Sequence, residues 1–227
     1  MKKKLKVGLI GSTGRMGQEI EKILGASSKS ELFYAPLRKE KLDEKKAALV
    51  DVWIDFSQPE AFAGNLKMAE KFKKPFVCGT TGFTAKEKAL LKKYAAKIPL
   101  LWSSNMSLGV AVLNEALKSF GAIPHFDFQI EEIHHNKKKD KPSGTAITLQ
   151  ENLNAVIGKA APEPLAIRGG GVFGVHKIFA LSDEEVITFE HQALNRTVFA
   201  RGAVTAAEWL ANKKPGLYQM RDVLFGK

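Results

Sequence analysis

Short apolar runs alternate with longer amphipathic stretches over the first part of the chain. The runs KVGLI, ELFYA, VDVWIDF, PFVCG and IPLLWSS each predict a buried β-strand. Between them, apolar residues recur at helical spacing in GRMGQEIEKILG, PEAFAGNLKMAEKF and TAKEKALLKKYAAK. This alternation of strand and helix predicts a Rossmann-like, doubly wound parallel sheet and an α/β fold class.

The pattern changes after Asn105. SLGVAVLNEALKSF and SGTAITLQENLNAVIG predict helices, and FDFQIEEIHH alternates like a half-exposed strand. GVFGVHKIFAL and EEVITFEHQAL are two further alternating runs, and the acidic turn at Ser182 and Asp183 between them predicts a hairpin. TVFARGAVTAAEWLANK predicts a last helix, and the Pro/Gly-rich stretch APEPLAIRGGG (161–171) predicts a loop.

These patterns divide the chain into two predicted domains. Residues 1–106 and 197–227 form the Rossmann-like domain, and residues 107–196 form an α+β domain with an open mixed sheet. The length of 227 residues, with 44% hydrophobic and 26% charged residues, is that of an ordinary globular protein with one large or two small domains.

The net charge of +11 raises the question of an acidic partner. Most lysines lie on helix-like segments, as is typical of a solvated face, and no basic stripe is interleaved with aromatic residues. We therefore expect no nucleic-acid partner, whereas a small acidic ligand is compatible with the charge.

Cysteine usage and the N-terminus bear on location. Cys78 is the single cysteine, so no internal disulfide can form and a reducing compartment is indicated. The apolar run after the N-terminal lysines spans about five residues, whereas a signal peptide needs roughly seven to fifteen. No run reaches the roughly 18 apolar residues that suggest a membrane span. We expect a cytoplasmic protein without a membrane partner.

The first predicted strand is followed by GSTGRMG, in which Gly11, Gly14 and Gly17 are spaced three apart. Glycines at a strand–helix turn let backbone N–H groups approach a pyrophosphate at the positive end of the helix. Thr13 holds the place of the middle glycine in the usual G-x-G-x-x-G pattern. The turn indicates dinucleotide binding, and a tight turn without a ligand is the alternative.

The end of the second predicted strand, YAPLRK, bears on which dinucleotide is bound. NAD-dependent proteins usually place an acidic residue there, against the ribose 2′-hydroxyl. Leu37, Arg38 and Lys39 instead offer two cations and no carboxylate, which favours NADPH. The alternative is that both cations are exposed loop charges.

Polar loops follow the fourth and fifth predicted strands, at residues 79–82 (GTTG) and 103–106 (SSNM). In a doubly wound sheet, ligands bind at the carboxyl ends of the strands. The GTTG loop offers two hydroxyls and open backbone amides at that edge, although a polar turn without a ligand fits it equally well.

The stretch HHNKKKDKPSGT (134–145) joins the end of a predicted strand to the start of a helix. Ser143 has the side chain of a good helix N-cap. The amides of Ser143, Gly144 and Thr145 are then N-terminal helix donors, which bind carboxylate or phosphate well.

The same stretch carries groups that titrate. His135 and the surrounding lysines add positive charge, while His134 and Lys138 can supply protons if a bound anion adjusts their pKa values. The cluster predicts a site for a small dianion. A polar strand end followed by a solvated basic loop is the alternative.

The stretch closely resembles the signature of the dihydrodipicolinate reductases, His-His-x-x-Lys-x-Asp-x-Pro-Ser-Gly-Thr-Ala. The resemblance continues in GSTGRMG, VCGTTGF, SSNMSLGV and RTVFARGAVTAAEWL, and so spans nearly the whole chain. It implies an enzyme of lysine and diaminopimelate biosynthesis. Such an enzyme would use NADPH or NADH, and no metal, to reduce 4-hydroxy-tetrahydrodipicolinate, a small dicarboxylate, to tetrahydrodipicolinate with loss of water.

The resemblance also implies roles for individual residues. By position, His134 resembles the general acid/base of the family and Lys138 its proton donor. The implied substrate site comprises His135, Ser143, Gly144 and Thr145. The implied cofactor-binding residues are Gly11, Ser12, Thr13, Gly14, Arg15, Met16, Arg38, Gly79, Thr80, Thr81, Ser103, Ser104, Asn105 and Met106. The resemblance further implies a homotetramer built through the sheet of the second domain.

The chain departs from the family pattern at a few positions. Leu37 stands where many members carry Glu, so NADPH is the preferred cofactor and NADH remains possible. The segment between strands two and three is short, which opens the adenine pocket, and Met106 replaces a common aromatic residue. The rival readings are an aspartate dehydrogenase-like reductase, which gives no reason for Lys138 beside Ser-Gly-Thr, and a non-catalytic nucleotide sensor, which intact His134 and Lys138 disfavour.

Overall fold

The computed structural model describes residues 3–38 and 40–226, and Lys39 therefore lies outside the described residues. The chain forms two compact units. The first comprises the residues up to Ser107 together with those from Thr197 onward, and the second comprises Leu108–Arg196.

The described residues form the following helices and strands, given in chain order. They are β1 (Leu5–Ile10), α1 (Arg15–Ala26), β2 (Ser30–Tyr34), α2 (Glu44–Leu49), β3 (Val52–Asp55), α3 (Pro59–Lys71), β4 (Phe76–Cys78), α4 (Ala85–Ala95), β5 (Pro99–Trp102), α5 (Leu108–Ala116), a 3₁₀ helix (Leu117–Ala122), β6 (Asp127–His134), α6 (Gly144–Ile157), β7 (Leu165–Arg168), β8 (Val175–Leu181), β9 (Val186–Gln192), α7 (Thr197–Leu210), β10 (Gly216–Tyr218) and α8 (Met220–Phe225).

The first unit contains a parallel sheet with the strand order β10-β5-β4-β3-β1-β2. The order reverses its direction between β1 and β3. The loop after β1 therefore opens into the crevice where ligands of doubly wound sheets bind. The predicted Rossmann-like, doubly wound α/β sheet is confirmed.

The core of this unit explains why its strands are so apolar. All four residues of β3 are buried, and Trp53, Phe62 and Phe76 are fully enclosed between the sheet and its helices. A side chain at Gly8 would overlap the Trp53 indole, so this strand position holds no more than a glycine. Burying each large apolar side chain contributes about 1.5–3 kcal/mol.

The second unit contains a mixed sheet with the strand order β7-β6-β8-β9. β7 runs parallel to β6, whereas β8 pairs antiparallel with both β6 and β9. Residues of α5, the 3₁₀ helix and α6 pack with one face of this sheet into a second core, which includes Phe120, Phe128 and Leu149. The predicted open mixed sheet is confirmed.

The loop predicted at 161–171 is wrong in part, because Leu165–Arg168 forms β7. The strand lies at the edge of the sheet, and Leu165 and Ile167 are 56% and 45% exposed. A short edge strand with exposed apolar residues lacks the burial pattern from which a strand is predicted.

Other differences concern short elements and the ends of long ones. The helix predicted from Ser107 to Phe120 tightens into a 3₁₀ helix at Leu117, and β8 begins at Val175. The sequence patterns did not predict α2, β10 or α8. Along the described residues, no helix combines the length and the apolar character needed to cross a membrane.

Candidate active site

The glycine-rich turn after β1 has a backbone that side chains would disrupt. Gly11 has φ of +84°, and a Cβ there would lie 2.5 Å from the carbonyl oxygen of Phe56. A Cβ at Gly17, inside α1, would overlap the backbone of Gly11. These two glycines are therefore required by the close packing of the turn against the helix.

The N-terminus of α1 is shaped to receive an anion. Gly14 is its N-cap and provides no side chain to cap the first amides. The first turn also contains no acidic residue, so the positive end of the helix is not neutralised there. Ser12, Thr13, Arg15 and Met16 complete this loop and first turn. A helix N-terminus of this kind can bind an anion such as a pyrophosphate.

The loops after β3 and β4 lie at the same edge of the sheet as the glycine-rich turn, because neighbouring parallel strands end together. Gly79 donates its N–H to the carbonyl of Asp55 (2.9 Å). Thr80 is buried and its side chain interacts with the Cys78 thiol, whereas Thr81 is exposed. The exposed hydroxyl of Thr81 is the one that a ligand at this edge can reach.

Asp55 was not predicted as a site residue. Its buried carboxylate accepts hydrogen bonds from the Ser57 N–H (2.8 Å) and from Asn65 Nδ2 (3.0 Å). Burial raises the pKa of Asp55, against the opposing effect of these hydrogen bonds. Through these hydrogen bonds Asp55 fixes the loop after β3. In this loop the carbonyl oxygen of Phe56 packs against Gly11.

The loop after β5 is held by its own side chains. Ser103 Oγ donates to the carbonyl of Asn105 (2.6 Å), and Asn105 Oδ1 accepts from the Ser107 N–H (2.8 Å). Met106 is only 2% exposed, and its carbonyl lies against Gly202 of α7. Ser104 completes this polar loop. At the end of β2, Leu37 and Arg38 are exposed.

In the second unit, a fully buried carboxylate organises the end of β6. Glu132 accepts two hydrogen bonds from the Arg168 guanidinium, with Nη1 to Oε2 at 2.9 Å and Nη2 to Oε1 at 2.6 Å. It also accepts from His134 Nδ1 and from the Ser143 N–H (3.1 Å). Burial alone would raise the pKa of Glu132, but the bonds from Arg168 and His134 outweigh it and hold the pKa below the usual value.

His134 faces this carboxylate because residues two apart on a strand point to the same side. An ionised carboxylate only accepts hydrogen bonds, so Nδ1 carries the ring proton and Nε2 has a lone pair. Burial lowers the pKa of His134, and Lys138 and Arg168 lower it further, while Glu132 opposes the shift. The imidazole is therefore uncharged at neutral pH.

A glycine packs beside Nε2 of His134. A Cβ at Gly174 would lie 3.1 Å from this nitrogen. Gly174 has φ of +155° and precedes β8 directly. A side chain at this position would therefore crowd the nitrogen that bears the lone pair.

Ser143 corrects one prediction. Its amide was expected to be available to a ligand, but it donates to Glu132. The Ser143 hydroxyl caps α6 by accepting from the Ala146 N–H (3.2 Å). Gly144 is exposed and has open space around its Cα, so the accessible part of the helix N-terminus begins there.

Lys138 and His176 complete the surroundings of His134. Lys138 Nζ pairs with Asp140 (2.9 Å), and the lysine side chain is 23% exposed. The ring centroid of His176 lies 5.2 Å from that of His134, and its Nε2 lies 3.4 Å from Ser143 Oγ. Burial, with repulsion from His134 next, lowers the pKa of His176 to about 3, so this ring is neutral.

The structure thus brings His134, Lys138 and Ser143 together with three residues that sequence reasoning missed, namely Glu132, Arg168 and His176. His135 directly follows His134 in the chain, and its N–H donates to the carbonyl of Val172 (2.7 Å). Among the described residues, no group of His, Cys, Asp and Glu could hold a metal ion.

Two family models match the chain almost from end to end. The model described as dihydrodipicolinate reductase, N-terminus, matches residues 5–106, and the model of the C-terminus matches residues 109–224. The 4-hydroxy-tetrahydrodipicolinate reductase of Bdellovibrio bacteriovorus is 73% identical over 225 residues, covering 99% of this chain and 98% of that protein. The protein of the same name from Wolbachia pipientis is 40% identical, covering 97% and 100%.

Solved structures share the fold. A dipicolinate-bound dihydrodipicolinate reductase from Paenisporosarcina sp. TG-14 superposes with a TM-score of 0.78 at 20% identity, covering 96% of this chain and 98% of that one. A probable dehydrogenase from Thermotoga maritima superposes with a TM-score of 0.68 at 11% identity, covering 96% and 92%. Identities this low establish a common fold alone.

Proposed function

This chain belongs to the dihydrodipicolinate reductase family, and from that membership we infer that it is a 4-hydroxy-tetrahydrodipicolinate reductase. It is an oxidoreductase of lysine biosynthesis, and it converts 4-hydroxy-tetrahydrodipicolinate to tetrahydrodipicolinate with loss of water. The observation that carries this conclusion is the 73% identity to the Bdellovibrio bacteriovorus enzyme over 99% of the chain. The family and the activity predicted from the sequence are thereby confirmed.

When bound, NAD(P)H supplies the hydride for this reduction. We propose that residues 11–16 hold its pyrophosphate, since the backbone there is tightly packed and the N-terminus of α1 is not neutralised. The loops 79–81 and 103–106 follow β4 and β5 at the same sheet edge and are proposed to hold the ribose and the nicotinamide.

Arg38 is proposed to select NADPH over NADH. It is exposed at the end of β2, where Leu37 offers no carboxylate to repel a 2′-phosphate. A charge-assisted hydrogen bond to that phosphate should make NADPH bind about tenfold tighter than NADH, less so at high salt. Arg38→Ala should weaken NADPH and leave NADH nearly unchanged, as measured by fluorescence titration.

The control for Arg38→Ala is Lys41→Ala, which removes one exposed positive charge from the same loop. Leu37→Glu should strengthen NADH by accepting from the ribose hydroxyls. The selection by Arg38 is ruled out if NADH binds as tightly as NADPH at low salt, or if Arg38→Ala weakens both cofactors equally.

We propose that His134 is the general acid/base and Lys138 the proton donor. His134 is uncharged with its proton on Nδ1, so its Nε2 can accept a proton first. Lys138 carries its ammonium at the partly exposed side of the same cluster. Gly144, Thr145 and His135 are proposed to bind the substrate carboxylates, while Ser143 caps α6 and so fixes the helix N-terminus.

Pyridine-2,6-dicarboxylate should compete with the substrate, because it is a planar dianion of similar shape. Pyridine-2-carboxylate should compete much more weakly, since it cannot engage the helix N-terminus and the basic groups together. A dipicolinate-bound relative supports the first expectation. Inhibition constants from steady-state assays check both, and equal inhibition by the two compounds would remove the two-point anion site.

We also propose that copies of this chain associate through the sheet of the second unit, as a homotetramer. Leu165 and Ile167 lie on one face of the edge strand β7, and each of these large apolar residues is 45% exposed or more. Neighbouring exposed apolar side chains on a sheet are typical of a surface that another protein surface covers.

A further inference from the structure

The ion pair between Glu132 and Arg168 is deeply buried. Glu132 is fully buried and the Arg168 side chain is 7% exposed, on neighbouring parallel strands. Arg168 also donates to the carbonyls of Asp140 (2.6 Å) and Ile167 (2.7 Å). Removing two charges from water costs about as much free energy as their mutual attraction contributes. A buried ion pair therefore adds little to the stability of the fold.

Glu132 also accepts hydrogen bonds from two groups of the proposed active site. Oε2 accepts from His134 Nδ1, and Oε1 accepts from the N–H of Ser143, which caps α6. One carboxylate thus fixes both the imidazole ring and the start of the helix whose N-terminus is proposed to bind the substrate.

We propose that Glu132, itself held by Arg168, is the positioning residue for His134: it fixes the ring orientation and keeps the proton on Nδ1, so that Nε2 exchanges the proton with substrate. This inference rests on the proposed function of His134. Glu132 acts through the imidazole and does not touch the reacting atoms, as orienting carboxylates do in other acid/base sites.

The charged and titratable groups around His134 come from several elements. Glu132 lies on β6 beside it, Arg168 on β7, His176 on β8, and Lys138 in the following loop. Glu132 raises the pKa of His134, whereas Arg168 and Lys138 lower it, and His176 is neutral. Removing Glu132 should therefore lower the pKa of His134. Removing Arg168 has two opposed effects on it, because Arg168 also holds the pKa of Glu132 down.

Glu132→Gln changes the tautomer of His134 for a geometric reason. An NH₂ group must replace one oxygen, and each oxygen position already faces two N–H donors. The guanidinium and the backbone amide cannot give up their protons, whereas the imidazole can move its proton to Nε2. In the variant, the ring proton of His134 should therefore lie on Nε2, the nitrogen that needs a lone pair to accept a proton.

The test compares Glu132→Gln, Arg168→Met and the control Glu151→Gln, which changes an exposed residue of α6. We expect Glu132→Gln to lose about 10²-fold or more in kcat with little change in KM. Its ¹⁵N NMR spectrum should show the Nε2–H tautomer of His134. The acid limb of the kcat profile should move to lower pH in Glu132→Gln. Arg168→Met should lower kcat, because Glu132 is no longer held in place, and the control should behave as wild type.

The proposal is overturned if Glu132→Gln keeps wild-type kcat and the Nδ1–H tautomer, or if its acid limb moves to higher pH. Should Glu132→Gln fail to fold, the tautomer of His134 in the wild-type protein decides, because an Nε2–H ring would contradict the proposal. The tautomer is read without turnover, so it tests the positioning even if the wild-type protein proves inactive on the substrate.

Discussion

Lys138→Ala is expected to lower kcat by a factor of about 10²–10⁴, far more than it alters NADPH affinity. That range is the usual contribution of one positioned acid/base group. Lys138 belongs to the cluster around His134 in the second unit, and the glycine-rich turn belongs to the first. Its ion pair with Asp140 holds the ammonium at the edge of the cluster (2.9 Å), so alanine removes the donor without emptying the core.

Steady-state kinetics and a cofactor titration on the same preparation check this expectation. The charge-matched control is Lys118→Ala, an exposed lysine of the second unit that pairs with Glu115. It should retain kcat within about twofold, as is usual for a surface substitution. Near wild-type turnover in Lys138→Ala would remove this lysine from the mechanism, and an equal loss in the control would assign the effect to net charge.

His134→Gln is expected to cost a similar factor of about 10²–10⁴ in kcat. Glutamine can still donate to the buried Glu132 carboxylate, so the variant should fold, but it has no group that exchanges a proton near neutral pH. The wild-type acid limb should lie below pH 6.5, because burial lowers the pKa of His134 and activity is lost when the ring becomes charged. This limb should be absent from the residual activity of the variant.

The pH profile of kcat provides the measurement for His134→Gln, with His125→Gln as its control. His125 is an exposed histidine of the same unit, and its replacement should leave both the rate and the limb in place. An acid limb that persists unchanged in His134→Gln would assign the titration to another group.

The fold could be predicted where the signal is local and repeated. Alternating strands and helices with a glycine-rich turn specify a doubly wound sheet, because each element must bury one face. β7 and β10 escaped prediction since they are short, and β7 exposes its apolar residues at a sheet edge. Their pairing depends on backbone partners that are distant in sequence.

The site could be predicted as a motif but not as a network. HHNKKKDKPSGT marks His134 and Lys138 through its spacing, while Arg168 lies 36 residues beyond Glu132 and meets it only through strand pairing. Glu132 itself could have been found, since it lies two residues before His134 on one strand face. The Ser143 amide is not available to a ligand because it donates to the buried Glu132 carboxylate. No local sequence pattern reveals this contact.

The most direct measurement is the oxidation of NADPH, and then of NADH, while dihydrodipicolinate synthase generates 4-hydroxy-tetrahydrodipicolinate in the same cuvette. NADPH absorbance should fall only when the synthase, its substrates and this protein are all present, and the fall should be far slower with Lys138→Ala. Pyridine-2,6-dicarboxylate should slow it. Absence of cofactor oxidation by a folded wild-type protein that binds NADPH would contradict the assigned reduction.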